Sequence, residues 1–158
     1  MLFEREVTKE SLETILTALR KGSQEVTIDS PGGDYLAAMD FIKTVRKEGL
    51  VKNLSFKIVL ANSAAAYIVL ALQCPRTLTP GGRIIVHGGK IEAELIDFFL
   101  SSLGRKTKAY LDAIMKILRE IVTPERVDTF TTSYTLELTR EECVLAGITV
   151  LKPGGSPT

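Results

Sequence analysis

The stretch from Phe56 to Ala71 constrains this chain more than any other. Phe56 to Leu60 is an apolar, β-branched run of the kind that forms a buried strand. It ends at Asn62-Ser63, and the small and apolar residues from Ala64 to Leu72 follow with the character of a buried helix. Ser63 therefore stands where a strand turns into a helix. Such a turn can hold a hydroxyl at the top of a sheet, beside the free N–H groups of a helix N-terminus. Two readings of Ser63 follow from the residues alone. It is an ordinary serine N-cap, or it is a nucleophile with an oxyanion site built next to it.

The rest of the chain alternates in the same way. Leu2 and Phe3 open a short strand. Thr8 caps a helix with Leu12, Ile15, Leu16 and Leu19 on one face, and Gly22 ends it. Gln24 to Asp29 alternates apolar and polar residues as a strand does, and Ser30-Pro31-Gly32-Gly33 is a tight turn. A second helix carries Leu36, Met39, Ile42 and Val45 and ends by Gly49. After the central strand and helix, Pro75 to Gly82 has the composition of a turn-rich connection, and Arg83 to His87 is a strand that Gly88-Gly89 breaks.

Ile91 to Leu103 is helical in pattern, with Gly104 expected to interrupt it. Tyr110, Leu111, Ile114, Ile117, Leu118 and Ile121 form a long amphipathic stripe. Pro124 follows a Thr123 N-cap, Thr139 opens a capping box over a short helix that stops at Gly147, and Ile148 to Leu151 is a last strand. The alternation predicts an α/β fold: a mainly parallel sheet with right-handed crossovers, flanked by helices. No repeat and no linker divides it, so residues 1–151 are expected to form one domain, with 152–158 a Pro/Gly/Ser tail.

With 158 residues, the chain has room for a real core. A net charge of +1 gives no basic field for nucleic acid. Cys74 and Cys143 form no CxxC or Cys/His cluster, so neither a disulfide framework nor a metal site is expected, and no cofactor motif is present. The acidic N-terminus is not a signal peptide, and Ala64–Leu72 is too short to span a bilayer. The expectation is a cytoplasmic protein without a membrane partner.

Three sites fall at the ends of successive strands: the Ser30–Gly33 turn, Ser63 and His87. In a parallel sheet, adjacent carboxyl ends lie side by side, and that edge is where sites form. Gly33 permits a backbone N–H to approach a reacting carbonyl closely, and the N–H of Ala64 supplies a second donor. Two such donors aimed at a developing oxyanion are worth on the order of 3 kcal/mol each. His87, the only histidine, is either the base for Ser63 or an ordinary strand-end histidine.

Taken together, Ser30-Pro31-Gly32-Gly33, then Ala61-Asn62-Ser63-Ala64-Ala65-Ala66-Tyr67, then Ile85-Val86-His87 resemble the Clp-type serine peptidases: ClpP, its phage prohead relatives and, more distantly, the signal-peptide peptidase A group. The stretch Thr107–Ile121 resembles the family's handle helix, and Leu138 to Ile148 its Leu-Ser-x-x-Glu-Ala-x-x-x-Gly-Leu ending. The likeness runs from about Leu2 to Leu151. It implies the ClpP/crotonase-like spiral of ββα units and a serine endopeptidase with Ser63 as nucleophile, His87 as base and the N–H groups of Gly33 and Ala64 as oxyanion hole. It also implies a ring-type homo-oligomer, heptameric or a double ring, acting on peptides or unfolded proteins.

The chain departs from that pattern in places. The family's triad acid falls at Thr135, which carries no charge. Glu137, two residues on, is a possible substitute acid on the same side of a strand. Alternatively, Thr135 only orients His87, or Lys106 or Lys108 serves as the base, as a lysine does in the signal-peptide peptidase A group. The chain opens close to the first strand, so the loops by which ClpP meets its AAA+ unfoldase, and that partner with them, are not expected. Lys90-Ile91-Glu92 stands where the family has a proline-containing turn. Two other functions stay open: a catalytically inactive relative whose assembly or binding surface is its function, and a crotonase-type acyl-CoA enzyme. The stripe of Thr107–Ile121, with Leu95, Phe98, Phe99 and Leu103, is either an oligomer interface or packing for the sheet.

Overall fold

The computed structural model describes residues 1–87, 102–133, 135–152 and 154. The chain runs β1 (Leu2–Phe3), α1 (Lys9–Lys21), β2 (Gln24–Ser30), α2 (Tyr35–Lys47), a 3₁₀ turn (Leu50–Asn53), β3 (Leu54–Asn62), α3 (Ala64–Ala71) and β4 (Arg76–His87). Then come α4 (Ser102–Ile121), α5 (Pro124–Ser133), β5 (Thr135–Glu137), α6 (Arg140–Leu145) and β6 (Thr149–Val150). It is an α/β protein. The sheet has the order β1-β2-β3-β4-β5, with β6 also paired to β4. All pairings between named strands are parallel except β4 with β5.

Strands β1 to β4 lie side by side in chain order, and each crossover carries one helix. No reversal of strand order occurs, so the right-handed crossovers place α1, α2 and α3 on the same face. The packing agrees: α1 lies against α2, α2 against α3, and α4 against both α2 and α3. Helix α3 is thus enclosed by sheet and helices, and every one of its residues is buried. That is why it is apolar all round instead of amphipathic.

The sheet strands alternate. Val26, Ile28, Leu54, Phe56, Ile58, Ile84 and Val86 are buried under the helices. On the opposite face of β4, Ile85 and His87 are half-buried and Arg83 is exposed.

Local signals account for most boundaries. Thr8 caps α1 in a reciprocal capping box with Ser11, and Gly22 ends the helix at φ 148°. The Asp34 carboxylate accepts from the N–H groups of Leu36 and Ala37 at the start of α2. Thr139 and Glu142 form the capping box of α6.

Two expectations need correction. Arg76 to Gly82 is not a connection but the first part of β4. Between the pairs Ile58↔Leu78 and Leu60↔Arg83, β3 advances two residues and β4 five. The turn-forming Thr79-Pro80-Gly81-Gly82 is absorbed as a bulge. Thr79 Oγ1 donates to the Ile58 carbonyl at 2.9 Å, and Gly82 lies so close to that carbonyl that a Cβ would stand 2.6 Å from it. Nor does Gly104 interrupt a helix: α4 runs through it. Gly88-Gly89, Lys90-Ile91-Glu92 and the expected helix from Ile91 lie outside the described residues up to 101, as do Leu95, Phe98 and Phe99.

The α4 stripe turns inward. Tyr110, Ile114, Leu118 and Ile121 are buried in the chain's own core. Those four residues therefore cover the α2–α3 layer and are not an exposed patch. Among the described residues no helix is long and apolar enough to cross a membrane.

Burial also affects the titration of the core. It pushes the Tyr110 phenol up to about 12 and the Cys74 and Cys143 thiols up to about 11. Each group is buried neutral, and in the unfolded chain each ionises from about 9 to 10. The unfolded state therefore loses protons first as pH rises, and stability falls. Denaturant midpoints are expected to hold steady below about pH 9 and to decline steadily toward pH 12. A flat midpoint across that window would contradict the burial of these groups.

Candidate active site

Three strand ends meet at the carboxyl edge of the sheet. The first is the Ser30–Gly33 turn. Ser30 is fully buried; its hydroxyl donates to the Arg5 carbonyl at 2.7 Å and accepts from the Gly32 N–H at 3.2 Å. It pins the turn. Val7 then bridges to Gly33: the Val7 N–H donates to the Gly32 carbonyl at 2.7 Å, and the Asp34 N–H donates to the Val7 carbonyl at 2.8 Å. In a parallel bridge the central residue's own N–H points the other way. The Gly33 N–H thus faces away from Val7, toward the side on which β3 lies.

Both glycines are needed. Gly33 has φ 143°, and a Cβ there would stand 2.5 Å from the Val7 carbonyl oxygen. Gly32 has φ 98°, and a Cβ there would stand 2.6 Å from the Asn62 carbonyl oxygen and 2.7 Å from Ser63 Cβ. The turn is pressed against the second strand end at Ser63.

Ser63 links β3 to α3 with φ 52° and ψ −118°, the one positive φ outside glycine among the described residues. Its N–H donates to the Ile85 carbonyl at 2.8 Å, which ties the turn to β4. Its side chain makes no capping hydrogen bond. The N-cap reading of Ser63 therefore does not hold: α3 begins without a side-chain cap. Among the described residues Ser63 Oγ has no hydrogen-bond partner, His87 included. Ala64 is the first residue of α3, where an N–H has no partner within the helix. A β-carbon at φ 52° is strained by about 1–3 kcal/mol. Ser63→Gly is accordingly expected to be more stable than Ser63→Ala by at least about 1 kcal/mol in chemical denaturation, because the positive φ adds to the ordinary preference for glycine over alanine at this position. A more stable alanine variant would mean that the turn is relaxed.

The third strand end is His87. Asn62 pairs with Ile85 across β3 and β4, so Ser63 and His87 close neighbouring strands, with the imidazole two residues beyond that pair. On its other side His87 pairs with Thr135 of antiparallel β5, and Thr135 Oγ1 lies 3.1 Å from His87 Nδ1. The residue at the acid position thus meets the imidazole as a neutral hydroxyl. Glu137 shares that face two residues along, opposite Ile85, but it is bound elsewhere. Arg83 holds both of its carboxylate oxygens, at 2.8 and 2.6 Å, and keeps the carboxyl below its usual range. Lys108 is exposed and paired with Asp112 one turn on along α4. The Lys106 side chain lies outside the described residues.

The edge therefore brings His87 to Thr135, and Gly32 to Ser63. It leaves the hydroxyl of Ser63 and the imidazole unbonded to each other, and it does not bring Glu137 to His87. Sequence reasoning missed two neighbours. Arg83, which occupies Glu137, sits in an ordinary strand. Asn62 has a buried Oδ1 without a partner, directly before Ser63. Among the described residues no cluster of three or more His, Cys, Asp or Glu side chains is placed to hold a metal ion. No protein-family model matches the chain, and a search of curated proteins finds no match.

Proposed function

We propose that the protein is a serine hydrolase of Clp type that cleaves peptides through an acyl-enzyme on Ser63. The carrying observation is the backbone of Ser63: a non-glycine residue in a strained strand-to-helix turn, its hydroxyl released from capping duty. In this reading Ser63 Oγ attacks a substrate carbonyl and His87 Nε2 takes its proton. The Nδ1–H donates to Thr135 Oγ1, which fixes the tautomer that leaves Nε2 free. The N–H groups of Gly33 and Ala64 receive the oxyanion. The imidazolium returns its proton to the leaving amine, and water then releases the acyl group. Thr135 orients the ring without supplying the negative charge that stabilises the imidazolium, so turnover is slow. The finer fold assignment, the ClpP/crotonase spiral with its ring assembly, belongs to the same proposal. The singly wound order β1 to β4, with helices on one face, supports it.

The absent Ser63–His87 hydrogen bond and the hydroxyl at the acid position favour a second reading, a non-catalytic relative that serves in assembly or binding. Such bonds often close only when substrate is bound, so a chemical probe separates the two. A fluorophosphonate is expected to label Ser63 slowly. Labelling should vanish in Ser63→Ala and fall about a hundredfold in His87→Ala, within the range a positioned base contributes. No adduct on the parent chain at any pH would overturn the hydrolase reading.

A further inference from the structure

We infer that the groove at the C-terminal end of α3, opposite the Ser63 end, is a binding site for a small polyphosphate-type anion. The groove has a volume of about 560 Å³, within the size range of small-ligand sites. Arg46, Arg76 and Lys116 line it from α2, β4 and α4, with Tyr67 and Gln73 between them and Glu120 as the one acid. Two positive charges are thus left over in a chain whose net charge is only +1.

Three arginines elsewhere in the chain are held by carboxylates: Arg20 by Glu13 and Glu48, Arg83 by Glu137, Arg126 by Glu142. Among the described residues none of the three groove cations has a carboxylate within ion-pair distance. Their acceptors are backbone carbonyls instead. Arg46 donates to Ala71 O at 2.7 Å, and Arg76 to Val69 O at 3.1 Å and Ala146 O at 2.7 Å.

Those bonds do not exhaust the donors. A guanidinium carries five N–H groups, and Arg46 spends one on a carbonyl. Arg76 is 9% exposed, yet its Nε–H is buried without an acceptor. That Nε–H is sealed from solvent, so Arg76 lends the groove its charge, while the exposed Arg46 and Lys116 lend it free N–H groups. One guanidinium with free N–H groups and an ammonium, beside the fixed charge of a second guanidinium held by the Val69, Leu70 and Ala146 carbonyls, suit tetrahedral oxyanions. A chain of phosphates, alone or on a nucleoside, supplies several such oxygens. This site is independent of the chemistry at Ser63.

Isothermal titration of the full chain with sodium tripolyphosphate and, separately, with ATP tests the site. Saturable binding of one ligand per chain is expected, weakening as salt rises from about 50 to about 300 mM. Arg46 and Lys116 are both exposed; Arg46→Gln gives up one bond to a carbonyl and Lys116→Gln none, so both variants should fold. Each is expected to bind about five- to tenfold more weakly, as loss of a charged hydrogen bond implies. Lys57→Gln, on the exposed face of β3, should leave binding unchanged. ATP binding tighter than tripolyphosphate makes a nucleotide the source, and equal binding makes it the bare phosphate chain. No saturable heat at millimolar ligand, or unchanged affinity in both groove variants, overturns the site.

Discussion

Thr135→Asp is expected to hydrolyse a short fluorogenic peptide about tenfold to a thousandfold faster than the parent chain, a gain bounded by the ~10⁴ that loss of a triad carboxylate costs elsewhere. Aspartate carries its oxygen on a branch only one bond longer than that of threonine. It enters at a position already paired in register with His87 and already 3.1 Å from Nδ1. The new carboxylate would sit where the imidazolium forms, and a charge there is worth most as Ser63 loses its proton. The gain should appear in kcat, with KM nearly constant, because the carboxylate acts through His87 and not on substrate. Thr135→Val moves the other way: it removes the oxygen that fixes the tautomer, and kcat should fall about tenfold. Glu137→Gln should change little, since that carboxylate belongs to Arg83. If Thr135→Asp is no faster, or if Glu137→Gln abolishes activity, the assignment of Thr135 as the residue orienting the imidazole fails.

What the sequence revealed of this site was its backbone, and what it concealed was its pairing. The strand ends at Gly33, Ser63 and His87 are marked by local signals: a glycine pair, a polar dipeptide between apolar runs, a histidine after β-branched residues. Each signal is contained within a few residues. The partner of His87 is not. Thr135 and Glu137 sit on the same face of a three-residue strand too short to show periodicity. Only the antiparallel register decides that Thr135 stands opposite His87 while Glu137 stands opposite Ile85. A shift of two residues would have set Glu137 opposite His87. The identity of Arg83 as the owner of Glu137 follows from the same register and from nothing local.

The missed fold features have related causes. Gly81-Gly82 reads as a turn because glycine favours one. In the sheet, the Ile58 carbonyl, bonded by Thr79, lets β4 bulge and resume instead of turning away. Gly104 costs a helix about 1 kcal/mol, and the buried row Tyr110, Ile114, Leu118 and Ile121 outweighs that over a 20-residue helix. The same row bears on the stripe at four positions. Its apolar residues face α2 and α3, so at those positions the hydrophobic surface is consumed within the chain.

Arg76→Met is expected to destabilise the protein by about 3 kcal/mol and to lower its melting temperature by about 6–12 °C, at roughly 2–4 °C per kcal/mol for a chain of this size. Nothing around Arg76 in sequence announces this. Its guanidinium joins two helix ends: it donates to the Val69 carbonyl of α3 and to the Ala146 carbonyl that follows α6. Helix α3 is apolar and wholly buried, so the carbonyls of its last turn have little water to turn to. Burial also pulls the arginine's own pKa down, and the chain tolerates that cost because the carbonyls carry the negative end of the helix dipole. Methionine fills much of the same volume but donates nothing, and unmet buried acceptors cost about 1–3 kcal/mol each. Arg46→Gln, at an exposed position with a single carbonyl bond to lose, should cost about 1 kcal/mol. Thermal melts by circular dichroism compare the two. The two ends of α3 should also respond together. A helix that loses its C-terminal anchor while holding a strained residue at its start will relax there, and slower fluorophosphonate labelling of Ser63 in Arg76→Met at a temperature where the chain remains folded is the expected sign. A melting temperature within a degree or two of the parent would show that the carbonyls find other donors and that α3 is held by packing alone.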